Sequence, residues 1–281
     1  MKTIFLLLLL IPVLSLSPKE PQKLKESLTF YASFDRNAEA DYARGDARIY
    51  TATDYDQLPE GEEGIHSENI SLATGKGVSG DALSFIQKSE HIVFYKAKEN
   101  MAYREEGWSG TVSFWLQLNP DADLEPGYCD PIQITDEDYN DAALWVDFSD
   151  KNPRSFRMGV YGDLKDWNSE GIEGAENPEF TKRLVPSKSM LFSRQRWTHV
   201  LIRFADLNTQ NGSAELYLNA ELQGKRENVR EAFSWEPEQA TIRLGLSYVG
   251  LLDELAIFDR ALSQEEIQVL YNKQEHLKNM L

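Results

Sequence analysis

The last forty residues constrain this chain more than any other stretch. From Gly250 to Phe258, Leu252, Glu254, Ala256 and Phe258 alternate with Leu251, Asp253, Leu255 and Ile257. That is the period of a strand buried on at least one face. At Ser263 the period changes: Ser263 and Glu266 have the spacing of a capping box, and Ile267, Leu270, Tyr271, Gln274 and Leu277 recur at helical intervals. A strand, a tight turn and a capped amphipathic helix therefore close the chain.

The two-residue period repeats upstream. Leu28, Phe30, Ala32 and Phe34 oppose Thr29, Tyr31 and Ser33, and Val112, Phe114, Leu116 and Leu118 oppose Thr111, Ser113, Trp115 and Gln117. Ala143–Phe148, Phe156–Tyr161, Trp197–Phe204, Ala214–Leu218 and Ile242–Leu246 read the same way. The acidic stretch at 37–64 reads as mostly loop with a short strand at Ala47–Thr51, and the acidic stretch at 119–140 and the polar stretch at 162–189 read as loops. Short strands, no helix before the end and no repeat period predict an all-β fold, a two-sheet antiparallel sandwich. A chain of 281 residues with 41% hydrophobic content is enough for one such domain.

Gly250, Asp253 and Glu254 followed by Asp259-Arg260-Ala261-Leu262-Ser263 resemble the C-terminal signature of laminin-G-like domains (LamG-like) in the concanavalin-A-like jelly-roll superfamily. The resemblance continues in Phe34-Asp35, in Gly75-Lys76-Gly77 and Gly80 ahead of Ala82-Leu83-Ser84-Phe85, in Thr111-x-Ser113-x-Trp115 and in Trp197-x-His199-Val200. Tyr217-x-Asn219 matches the family's hairpin, with Ala220 in place of its glycine. The match runs from Lys25 to Gln274 and implies a jelly roll with a short C-terminal helix. It also implies a structural Ca²⁺ held by Asp35 and Asp253 with backbone near Gly77. Read from its own residues, Asp253 could equally cap a turn or pair with an arginine.

Met1–Ser17 has Lys2, an apolar run and small residues at Ser15 and Ser17, which reads as a signal peptide. Residues 18–24 then read as a linker and 25–281 as the domain, which would place the protein outside the cytoplasm. The formal charge of −17, or −18 once Lys2 is removed, opposes binding to nucleic acid or to anionic membranes. It suits a neutral glycan, a cationic partner or calcium. Cys129 is the only cysteine, so no intrachain disulfide forms. His66, His91, His199 and His276 lack the spacing of a zinc site or a catalytic triad.

If the apolar halves of the middle strands fill the core, the opposite side chains are Trp115, Gln117, Trp145, Asp147, Arg157, Tyr161, His199 and Arg203. Rings beside charged and amide groups suit a sugar, which offers C–H faces for stacking and hydroxyls for hydrogen bonds. The competing reading makes Trp115, Trp197 and His199 packing residues. Jelly-roll glucanases carry Glu-x-Asp-x-(x)-Glu on one strand; here Trp145 stands at the first carboxylate before Asp147, leaving Glu215 on another strand as a substitute. The expectation is a secreted, non-catalytic module, lectin-like, that binds a glycan or an extracellular protein ligand, without nucleic acid or membrane insertion. The alternatives are a polysaccharide hydrolase or lyase on the same scaffold and a structural adhesion module with no sugar site.

Overall fold

A computed structural model describes residues 20–172, 177–272 and 277–278. The expected signal peptide and Gln274 lie outside them. Seventeen strands occur among the described residues: β1 Leu28–Ala32, β2 Tyr42–Ala43, β3 Ile49–Ala52, β4 Glu62–Glu63, β5 Ile70–Ala73, β6 Ala82–Phe85, β7 Ile92–Lys96, β8 Trp108–Gln117, β9 Cys129–Thr135, β10 Ala143–Phe148, β11 Phe156–Tyr161, β12 Leu184–Pro186, β13 Thr198–Leu207, β14 Gly212–Leu218, β15 Glu221–Val229, β16 Thr241–Leu246 and β17 Gly250–Phe258. They form two antiparallel sheets. The nine-stranded sheet runs β15-β14-β13-β8-β17-β1-β2, with β6 paired to β17 and β5 to β6; the eight-stranded sheet runs β12-β11-β10-β9-β16-β7-β3-β4.

The core between the sheets is what the alternation predicts. Val112, Phe114, Val200 and Ile202 from one sheet meet Leu144, Val146, Met158 and Val160 from the other, all fully buried. Each such side chain contributes about 1.5–3 kcal/mol by leaving water. Trp108 closes one end of this core, its ring 4.8 Å from that of Phe204 and 4.6 Å from that of Trp235.

A second apolar layer covers the outside of the nine-stranded sheet. The helix Gln264–Asn272 begins at the expected box: Ser263 N donates to Glu266 Oε2 at 2.8 Å and Glu266 N donates back to Ser263 Oγ at 3.3 Å. It seats Ile267 and Leu270 on Leu201, Phe258 and Tyr31. The helix Glu20–Ser27 adds Leu24 to the same layer, so residues 20–24, read from sequence as linker, are structured. Polarity had suggested a tether there, but one leucine on the right helical face docks the segment.

Short strands β2, β4 and β12 fall in stretches read as loop, and two further departures bear on the site. In β17 the alternation breaks between Asp253 and Ala256, where Glu254 adopts φ +53° and the register with β8 shifts. The extra residue of this bulge sends Leu252, Leu255 and Ile257 into the core and Ala256 and Phe258 outward. Strand β9, in contrast, falls within the stretch read as an acidic loop. It is central to its sheet, paired with both β10 and β16.

Candidate ligand site on the eight-stranded sheet

The eight residues expected on one surface lie on two. Trp115, Gln117, His199 and Arg203 belong to β8 and β13 in the nine-stranded sheet, while Trp145, Asp147, Arg157 and Tyr161 belong to β10 and β11 in the other. Strand alternation fixes which side a residue faces within its own sheet. It does not say which sheet, and so the two sets were merged.

On the nine-stranded sheet the rings are packing. Trp115 stacks on Tyr271 of the C-terminal helix at 5.8 Å and lies 4.8 Å from His199. His199 is fully buried, and its Nε2 hydrogen-bonds Ser113 Oγ at 2.8 Å. Burial without a counter-charge lowers its pKa to about 3. Arg203 donates to Glu215 at 3.0 Å and to the Leu262 carbonyl at 2.9 Å. Gln117 is half-buried at the strand's end. Glu215, the substitute carboxylate, sits in this sheet too and cannot share a scissile bond with Asp147.

On the outer face of the eight-stranded sheet a cavity of about 250 Å³ remains open. Its rings are Tyr55, Tyr128, Tyr139, Trp145 and Phe180, and its polar groups include Asp130, Gln133, Asp147, Arg157 and Ser247. The indole of Trp145 lies flat over Gly159, where any Cβ would overlap the ring, and its Nε1 donates to the Tyr139 carbonyl at 2.7 Å. Tyr161 stacks behind it at 5.6 Å but is wholly covered by Phe180 and Trp167, so it supports the wall without reaching the cavity.

The floor is a chain of charged groups. Arg157 forks onto both oxygens of Asp147, through Nε at 2.9 Å and through Nη2. Tyr128, half exposed, lies over that guanidinium at 5.2 Å. Gln133 links the other half: its Nε2 donates to Asp130 Oδ2 and its Oε1 accepts from Arg243 Nη1, both at 2.8 Å. Tyr55 covers Arg243 at 5.3 Å. Desolvation, and then the charge of Asp147, push the Asp130 carboxyl up to about 8, against the pull of Gln133, Arg157 and Arg243. Behind the loop, the buried Arg154 ties Tyr128's neighbourhood down by donating to the carbonyls of Gly127, Ser149 and Glu125.

Sequence reasoning missed Tyr55, Tyr128, Asp130, Gln133 and Arg243. Asp130 and Gln133 were lost with β9, although Ile132-Gln133-Ile134-Thr135 does carry a two-residue period. The tyrosines sit outside regular strands, where pattern says nothing.

Of the three residues expected to hold calcium, Gly77 and Asp253 lie side by side, and Asp35 is near enough for its charge to act on Asp253. Asp253 Oδ2 accepts from Val78 N at 2.6 Å, Asp35 Oδ1 accepts from Asp81 N at 2.8 Å, and a Cβ at Gly77 would stand 2.7 Å from Asp253 Oδ2. Burial drives Asp253 up to about 9 and Glu254 to about 7, and Glu254 Oε1 is buried with no partner. Lys278 contacts Asp35 Oδ2. Among the described residues no three Asp, Glu, His or Cys side chains converge on one metal position, so an ion here would need backbone carbonyls or water as well. Also among the described residues, no helix is long and apolar enough to cross a membrane.

Comparison with known proteins places these features in a family. No curated protein sequence matches significantly. Among solved structures, domain 4 of AbnA, a GH43 extracellular arabinanase from Geobacillus stearothermophilus in complex with arabinotriose, superposes with a TM-score of 0.50 at 17% identity, covering 87% of this chain and 98% of that one. The binding domain of botulinum neurotoxin DC in complex with rat synaptotagmin II gives 0.58 at 12% identity over 89% of this chain, and the serotype D ligand-binding domain in complex with N-acetylneuraminic acid gives 0.55 at 13% over 91%. The chain spans about half of those two toxin chains, 52% and 53%. At such identities the likeness establishes the jelly-roll fold. The laminin-G-type family profile described as the Concanavalin A-like lectin/glucanases superfamily matches residues 99–268, more than half of the sequence, and the chain belongs to that family.

Proposed function

We propose that this protein is an exported, non-catalytic glycan-binding module whose ligand occupies the cavity between Tyr55, Tyr128 and Trp145. The observation that carries this reading is an open, ring-walled cavity with a hydrogen-bonded polar floor, beside an end of the sheet face that Trp167 and Phe180 cover. Rings of this kind stack on sugar C–H faces, and the floor offers both donors and acceptors to hydroxyls. Saccharides in two of the similar solved structures support the same ligand class. Arg157 occupies both oxygens of Asp147, which argues for a structural carboxylate. The test is a glycan array followed by calorimetry on the best binder: Tyr128→Ala, a surface truncation, is expected to weaken binding tenfold or more while leaving Tm within a few degrees. Unchanged affinity in that variant would refute the site.

One observation favours a second reading. Asp130 and Asp147 neighbour each other across β9 and β10, and Asp130 tends to keep its proton near neutrality. A hydrolase would use such a pair as acid and nucleophile. Release of reducing ends that disappears in Asp130→Asn would replace the binding-only reading. Failure of every glycan to bind would leave the adhesion module.

Export and calcium belong to the same proposal. Edman sequencing of the secreted protein is expected to begin close to Pro18. Asp35 and Asp253 would supply hard oxygen ligands to Ca²⁺ beside Gly77, with backbone carbonyls and water completing the set, so calcium should raise Tm and chelation lower it, with no such response in Asp253→Asn.

A further inference from the structure

Resting on the glycan reading of this cavity, we infer that its ligand carries a free amine: the site takes an amino sugar, with the ammonium set between Asp130 and the rings of Tyr55 and Tyr128. The ionic valences of the floor leave this choice. Arg157 is spent on Asp147 and roofed by Tyr128. Arg243 uses its three nitrogens on Thr241 Oγ1, Gln133 Oε1 and the Glu137 carbonyl, and its free face is taken by Tyr55. What remains is a carboxylate oxygen, since among the described residues Asp130 Oδ2 has Gln133 and Oδ1 has no protein partner.

An anionic sugar finds little here. Only one nitrogen of Arg157 is unengaged, and the two arginines are outnumbered by Asp147 together with Asp136 and Asp138, which act on Arg243, and Asp150, which acts on Asp147. The whole chain adds a formal charge of −17, which repels anions and steers cations inward. Aromatic faces within about 6 Å attract an ammonium, by 0.5–1 kcal/mol in the open and by about 2 when desolvated. Burial and then Asp147 push the Asp130 carboxyl up to about 8, above neutrality. An ammonium supplies the positive charge that the carboxyl's proton provides, so it displaces the proton to solvent as it binds.

The experiment is calorimetry at pH 7 with three probes: a glucosamine tetramer, its fully N-acetylated counterpart and a galacturonate tetramer. Repeating the measurement in buffers of different ionisation enthalpy counts protons. The amine is expected to bind at least tenfold tighter than the acetylated chain and to release up to one proton, with both effects lost in Asp130→Asn. The proton count on the parent protein stands even if that variant folds poorly. Acetylated or uronate chains that bind as well as the amine, in a manner still sensitive to Tyr128→Ala, would overturn the amine inference and leave the glycan site intact. No binding by any probe, here or on the array, would remove both.

Discussion

Gly159 shows how one residue can set the shape of a cavity wall. The indole of Trp145 lies where a side chain on Gly159 would be, across the pair of opposed strands β10 and β11. Gly159→Ala is therefore expected to push Trp145 into the cavity, costing about 1–3 kcal/mol as overpacking and abolishing ligand binding; denaturant unfolding and calorimetry check the two effects separately. His199 makes a different prediction. Its pKa is about 3 in the folded protein against 6.5 in water, so its contribution to stability is full above pH 6.5 and is lost as pH falls toward 3. Urea midpoints measured across that range should fall with acid, and His199→Gln should flatten the fall. Which residues line the cavity was only half visible in the sequence. Trp145, Asp147 and Arg157 were found because period two marks outward positions. Asp130 was hidden by the acidic company it keeps, and Tyr55 and Tyr128 by standing outside any period.

At the level of elements, the terminal strand and helix were legible because each local signal agreed with the next: alternation, turn, cap and apolar stripe. The exception is the bulge at Glu254, where a positive φ moves the parity of β17 by one residue. No side-chain pattern announces it, because Ala256 and Leu255 are both apolar. The N-terminal helix was missed for the opposite reason, its mean character being polar while Leu24 carries its apolar contact. The layer these helices build should behave as a core. Ile267→Ala, at a fully buried position, is expected to cost about 2–5 kcal/mol, seen as a shift in denaturant midpoint at constant m-value.

For the molecule as a whole, the division of rings between two outer faces is decisive. One face packs its rings under the terminal helices, while the other keeps the ring-walled cavity to which we assign the glycan. Trp115→Ala should thus lower stability by about 3–5 kcal/mol with affinity unchanged, and Tyr128→Ala should do the reverse. The two should add in the double variant, since residues in separate layers share no partners. The sandwich class was readable from strand count and spacing alone, but the assignment of strands to sheets needed coordinates, because the hairpins are joined by pairs far apart in sequence, such as β1 with β17, β8 with β13 and β9 with β16. Nowhere is that plainer than at the end of the chain: β16 sits between β9 and β7, and β17 lies with β8 on one side and with β6 and β1 on the other. A nascent polypeptide that has not yet delivered those two segments possesses two half-sheets, each with an unzipped gap down its middle. Both layers therefore hang on the same short segment, and a protein cut before Thr241 would lose the seam of each sheet at once.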